Sequence, residues 1–277
     1  MDLKTLLRDR FGLDLDLGYA EPVPPPLAQI LQRRTHRSYA ARPVADALID
    51  LLLAAALSAS AKSDFQQASV IKLKDPGKRA SIARHFPAMP WIGTAPAFLV
   101  FCADARRLER IGTLRNHPRR NRDVEAFLNA TVDAALAMQT FILAAEAAGL
   151  GCCPISVVRN EMETLARELA LPDGVFPIAG LCLGYPARAG YISMRLPPAV
   201  TVHTDRYEDS NLATEIDAYD RRRAARHATP REQQRNPAKF GYADFYGWSE
   251  DKARQAAEPE GASFAAFVRA HGFSFEP

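Results

Sequence analysis

The residues best equipped to do chemistry are the cations of Arg33-Arg34-Thr35-His36-Arg37, followed by Ser38-Tyr39 and Arg42-Pro43. Four arginines fall within ten residues, just ahead of an amphipathic helical pattern. Arginine presents a planar, permanently charged fork that matches phosphate oxygens, and the Thr35 hydroxyl adds a short donor. The stretch reads as a binding site for a dianion; the plain alternative is a solvated basic turn. Three later segments also carry polar or glycine-bounded chemistry: Ser60-Ala61-Lys62-Ser63-Asp64-Phe65-Gln66, Gly149-Leu150-Gly151-Cys152-Cys153-Pro154-Ile155-Ser156, and Arg195-Leu196-Pro197. The histidines are scattered singly and the cysteines show no metal spacing, so no metal centre is expected. G-x-G-x-x-G, G-x-x-x-x-G-K-[ST], G-x-S-x-G and H-E-x-x-H are all absent, which removes the motif-borne dinucleotide crossover, P-loop, hydrolase and zincin readings.

The elements that must position these residues follow from periodicity. Prolines at 22, 24, 25 and 26 stiffen the approach to a helix over Leu27 to Gln32. Val44, Leu48, Ile49, Leu52, Leu53 and Ala56 repeat at helical spacing. Val70 to Leu73 reads as a short strand, and Lys78 to His85 as a helix. Ala97 to Cys102 is a continuous apolar run of strand length, expected at the centre of a sheet. The longest helix runs from about Val124 to Ala148; apolar nearly all round, it is expected to be buried. Gly149 and Gly151 read as its C-terminal caps. Glu161 to Ala170 is helical, and Val175 to Leu183 is a second core strand. The organisation expected is an N-terminal helix and linker (1–26), one α+β domain (27–205), and a helical, aromatic-rich C-terminal extension (206–277) that packs on the body or a partner subunit.

Composition narrows the class. A chain of 277 residues with 48% hydrophobic and 24% charged residues is ordinary for a globular protein. No apolar run is expected to reach membrane-spanning length, and Met1-Asp2-Leu3-Lys4 has no apolar signal core, so a cytoplasmic location is expected. The cysteines, all in apolar surroundings, should be buried free thiols. Arginines crowd at Arg106–Arg122 and Arg221–Arg226, yet no aromatic residues are interleaved, so nucleic acid is not the expected partner. Solvated faces, or contact with an anionic cofactor, are the readings left for these runs.

The arginine motif resembles the R-R-S-x-R-x-F/Y entry of the FMN-dependent nitroreductase family. Ser60–Gln66 resembles the family's P-S-S-x-N-x-Q loop, and Arg195-Leu196-Pro197 its R-L-P. Gly149–Ser156, with Gly180-Leu181-Cys182-Leu183-Gly184-Tyr185-Pro186, resembles its core. Order and spacing agree over residues 28–205, closest to the larger oxygen-insensitive, NADPH-type nitroreductase and flavin-reductase branch. The resemblance implies a central, mostly antiparallel sheet flanked by helices, and FMN at a homodimer interface. NAD(P)H would be the co-substrate, and nitroaromatics, quinones or similar flat electrophiles the small-molecule acceptors, in a ping-pong cycle. It implies Arg33 and Arg195 on the phosphate, Arg34 and Thr35 on phosphate and ribityl, and Arg37 at the N1/C2 edge of the ring. Ala61, Lys62 and Asp64 would reach across the dimer. Pro154, Ile155, Ser156 and Val157 would form a turn against the ring, and Met89 and Trp91 an apolar substrate cleft. The flavin carries the chemistry, so no catalytic acid or base is expected. Flavin reductase, specialised-metabolite dehydrogenase and flavin-binding protein without turnover stay open as alternatives. The chain departs from the family at Asp64, where Asn is usual, and at Ser193, where a second cation is usual. It departs again at Ser156 and Val157, where glycine or an acidic residue is usual.

Overall fold

Alternation along one apolar strand organises the core. A computed structural model describes residues 2–120 and 122–274. Its elements are α1 (Leu3–Phe11), α2 (Pro25–Gln32), α3 (Asp46–Ala56), β1 (Ala68–Lys72), α4 (Pro76–Ala83), α5 (Trp91–Thr94), β2 (Ala97–Asp104), α6 (Arg106–Leu114), α7 (Val124–Ala147), β3 (Gly151–Ile155), α8 (Met162–Leu169), β4 (Val175–Gly184), α9 (Pro198–Thr201), α10 (Leu212–Arg226), α11 (Pro237–Phe240), α12 (Trp248–Ala256) and α13 (Phe264–Ala270). Two compact units result: Met1–Arg33 with Tyr191–Glu260, and Arg34–Gly190 with Gly261–Pro277.

The larger unit is built on an antiparallel sheet in the order β1-β2-β4-β3, which is the α+β architecture expected. Leu99, Phe101 and Ala103 of β2 join one apolar cluster with α3, α7 and α13. Phe98, Val100 and Cys102 join a second with Ile82, Phe86 and Ile92. Every residue of β4 is buried, as a strand covered on both faces requires. The chain's end closes the first cluster. Phe176 stacks on Phe127 at 4.9 Å and meets Phe273 edge-on at 5.6 Å, a geometry the aromatic quadrupole favours.

Helix α7 departs from expectation. Only one face is buried, through Ala126, Ala130, Asp133, Ala134, Ala137, Phe141, Ile142 and Ala145. Val124, Leu128, Val132 and Leu136, every fourth residue, form a stripe 42–53% exposed. Alanine-rich sequence hides this, because both faces are apolar and the hydrophobic pattern has no polar side to mark solvent. The helix is also long and apolar enough to cross a membrane by length and composition, contrary to the sequence expectation. Its contacts with β2, and Asp133 within it, are those of a core helix.

The smaller unit rests on polar braces. Arg223 donates to the Met194 carbonyl at 3.1 Å and to the Tyr219 hydroxyl at 2.8 Å. Arg226 donates to the Asp9 and Arg8 carbonyls at 2.7 and 2.9 Å, capping the end of α1. Tyr246 is buried, and Trp248 meets Tyr219 edge-on at 5.4 Å. In the larger unit, Arg119 donates to the Ala105 carbonyl at 2.7 Å, and Arg107 to Ala68 and Asp104. Several of the arginines crowded in the sequence are therefore committed to backbone carbonyls, which removes them as simple phosphate hooks.

All four cysteines are free and buried, as expected. Burial, with Asp104 adding to it, pushes the Cys102 thiol up to about 12, and burial raises Cys182 as well. Only the thiolate reacts, so the folded protein should release no colour from Ellman's reagent at about pH 8, while all four thiols react after denaturation. A fast-reacting thiol in the native protein would contradict this burial.

Candidate functional site

Residues 34–40 run as irregular chain along the ends of β3 and β4. The His36 amide donates to the Cys152 carbonyl at 3.0 Å, Ala40 to Tyr185 at 2.8 Å, and Ala187 back to Ser38 at 3.1 Å. The Tyr39 hydroxyl donates to the His36 carbonyl at 2.6 Å; burial raises its pKa far above the ordinary phenol range, so it stays a donor. Two glycines permit this approach. A Cβ at Gly151 would lie 2.7 Å from the His36 ring, and one at Gly184 would lie 2.9 Å from Tyr39. Gly151 is thus a close-contact position inside a strand, where a helix cap was expected. The threading fixes the direction of the cations. Arg34 reaches the Ala189 carbonyl at 3.3 Å, and Thr35 is half-buried. Arg37 is exposed, with its guanidinium 5.7 Å from the centre of the Trp91 ring, within cation–π range.

Trp91 and Met89 are half-buried and pack against the second apolar cluster. The structure thus brings Arg37 and Trp91 together, a pairing the sequence did not reveal. The indole Nε1 of Trp91 is buried without an acceptor among the described residues.

The loop at 61–67 is held at both ends by one carboxylate, while Arg107 and the Asp104 amide bond the Gln66 and Gln67 carbonyls. Asp133, 3% exposed on α7, accepts the Lys62 amide at 2.8 Å through one oxygen and the Gln67 amide at 3.0 Å through the other. Between these anchors Ser63, Asp64 and Gln66 all have positive φ, an unfavourable backbone for side-chain-bearing residues. The Asp64 carboxylate accepts from the Gln66 side chain at 3.0 Å, which eases that conformation locally. Lys62 and Asp64 are exposed and Ala61 is half-buried. Asp133 was missed in the sequence, although it is the lone charge in α7 between Glu125 and Glu146.

Residues 154–157 are not a simple turn. Pro154 and Ile155 end β3, an edge strand where a missing N–H is tolerated, and Ser156 opens a 3-10 helix to Glu161. Ile155 is buried and Val157 half-buried, while Pro154 and Ser156 are exposed. Pro154 has no N–H, so backbone donation falls to its three successors.

In the smaller unit, Arg33 follows the last turn of α2 and Arg195 follows Met194. Both are half-buried or exposed. They share a buried neighbour the sequence reading did not single out. Arg10 donates through Nε and Nη2 to the Leu31 carbonyl at 3.0 and 2.8 Å, through Nη1 to the Ser193 carbonyl at 2.8 Å, and to the Arg33 carbonyl. Its own carbonyl accepts the Arg195 amide at 2.8 Å. The available signal was its place on the Leu6 and Leu7 face of α1.

The donor set suits a planar, phosphate-bearing cofactor such as FMN: half-buried to exposed guanidinium forks, edge-strand amides and an indole, with no paired acid and base beside them among the described residues. Comparison with known proteins agrees. Residues 30–185 match the model of the nitroreductase family, and residues 193–276 that of the nitroreductase family C-terminal domain. The chain is 35% identical over 199 residues to "FMN reductase [NAD(P)H]" of Bacillus subtilis, covering 70% of this chain and 79% of that protein. It is 33% identical over 196 residues to "Oxygen-insensitive NADPH nitroreductase" of Salmonella typhimurium, covering 70% and 80%. Among solved structures it superposes on B. megaterium NfrA2 with a TM-score of 0.83 at 28% identity, covering 92% of this chain and all of that one.

Proposed function

Because this chain belongs to the nitroreductase family, we propose that it is an FMN-dependent oxidoreductase that oxidises NAD(P)H and reduces nitroaromatics, quinones or similar flat electrophiles. The observation that carries this is the arginine segment, bonded along the ends of β3 and β4 with the exposed Arg37 against Trp91, inside the stretch that matches the family. When bound, FMN would supply the hydride and electron-transfer chemistry between nicotinamide and acceptor, which fits ping-pong kinetics.

The protein's part is binding, orientation and charge. Arg33 and Arg195 are assigned to the phosphate, and Arg34 and Thr35 to phosphate and ribityl oxygens. Arg37 is assigned to the N1/C2 edge, where a fixed cation favours the reduced ring. Ala61, Lys62 and Asp64 contribute from their clamped loop. Ile155, Ser156 and Val157 offer backbone amides to the ring, with Pro154 beside them. Met89 and Trp91 give the acceptor an apolar surface. Steady-state oxidation of NADPH and NADH with menadione and a nitrofuran tests the reading. Absence of turnover with every acceptor in FMN-loaded protein would leave only a flavin-binding role.

A second reading has a specific support, since the Bacillus subtilis relative is named an FMN reductase. Free FMN would then be the acceptor. Faster turnover with excess FMN than with menadione favours it.

The exposed stripe Val124, Leu128, Val132 and Leu136, together with the exposed Leu51 of α3, the helix packed against α7, and Leu57 just after it, supports a homodimer built on α7. Leu128→Glu with Leu136→Glu should convert a dimer to a folded monomer in sedimentation, because neither side chain is in the core. A wild-type monomer that binds FMN would contradict the assembly. Four free thiols fit a reducing compartment, supporting a cytoplasmic location.

A further inference from the structure

We infer that Arg10 is a positioning residue for phosphate binding, fixing the backbones of Arg33 and Arg195 in one geometry. The inference rests on the assignment of those two arginines to the FMN phosphate.

A buried guanidinium is unfavourable unless its donors are satisfied. Arg10, 7% exposed, satisfies them on the backbone carbonyls of Leu31, Arg33 and Ser193. Its own carbonyl takes the Arg195 amide at 2.8 Å. One residue therefore grips both sequence-distant segments that carry the phosphate arginines. The planar fork matters, because Nε and Nη2 share the Leu31 carbonyl while Nη1 turns to Ser193.

The surroundings leave this hub little freedom. Gly12 ends α1 at φ +71°, and a Cβ there would lie 2.6 Å from the terminal methyl of Met194. The Met194 carbonyl in turn accepts the Tyr219 hydroxyl at 3.0 Å and Arg223 at 3.1 Å. The end of α1, residues 31–33, residues 193–195 and α10 are thus one hydrogen-bonded frame, with Arg10 at its centre. Two forks held in fixed relation bind a dianion more tightly than two that must be ordered on binding. Arg10 touches no atom of the ligand in this account; its effect passes through Arg33 and Arg195.

The test compares FMN with riboflavin, which shares the ring and ribityl chain but lacks the phosphate. Apoprotein of wild type, Arg10→Gln and Arg10→Lys is titrated with each flavin by fluorescence quenching, alongside thermal melting. Wild type should prefer FMN strongly. Arg10→Gln should lose about tenfold or more of that preference through weaker FMN binding, with riboflavin affinity unchanged. Arg10→Lys, which keeps the charge but lacks the fork, should lose about three- to tenfold, and it keeps the test alive if the glutamine variant does not fold. General damage would lower both affinities together. An FMN preference unchanged in a folded Arg10 variant, or equal losses for both flavins, overturns the role of Arg10. Equal binding of FMN and riboflavin by wild type overturns the phosphate assignment itself.

Discussion

Asp133→Leu should lower the melting temperature by about 5–12 °C and release FMN from the folded protein. The buried Asp133 carboxylate accepts two amides, Lys62 and Gln67, at 2.8 and 3.0 Å. Leucine fills nearly the same volume but offers no acceptor, and a buried donor left unpaired costs about 1–3 kcal/mol. The Gln67 amide is buried and the Lys62 amide only partly so, which together give about 2–5 kcal/mol, and a protein of this size shifts by about 2–3 °C per kcal/mol. Relief from burying the carboxylate offsets part of this, but charged acceptors make the stronger bonds, so the sign stays destabilising. The positive φ values at Ser63, Asp64 and Gln66 then lose the anchors that hold them. Asp133→Asn, which keeps one acceptor oxygen, should fall about halfway. Calorimetry of both variants, with flavin content after dialysis, checks the clamp; a melting temperature within about 1 °C of wild type would show that it holds nothing.

The largest loss of cofactor is expected in the double variant Arg33→Gln, Arg195→Gln. A hydrogen bond from a cation to a phosphate contributes about 1.5–3 kcal/mol, so removing both should weaken FMN by roughly 10² to 10⁴-fold. Because both arginines are assigned to the same dianion, their effects should not add cleanly, while their backbone bonds to Arg10 stay in place in either variant. Lysine at both positions keeps charge without the fork and should recover part of the affinity. Equilibrium dialysis reads the result directly, and a double variant that binds FMN like wild type would move the phosphate elsewhere.

Sequence alone revealed what depends on local pattern. Ala97–Cys102 and Val175–Leu183 are apolar runs too continuous to be anything but covered strands, and they became β2 and β4. Strand β3 escaped because its strand character comes from pairing with β4 across a distance in sequence. Locally, Gly149, Gly151 and Pro154 read as a cap and a turn. The exposed stripe of α7 was hidden by alanine on every side. The arginines at 33–37 stood out by type and spacing, while the residues that hold the site's segments did not. Arg10 and Asp133 act through buried hydrogen bonds to backbone far along the chain, and such partners leave no periodic trace. What each did leave was a charge on an otherwise apolar helical face.

The most direct test of the central claim is the absorbance spectrum of the purified protein, before and after NADPH or NADH is added without air. Flavin bands should bleach on addition and return when menadione or a nitrofuran follows. A colourless protein that takes up no added FMN, or bound flavin bands that neither nicotinamide bleaches, would contradict it.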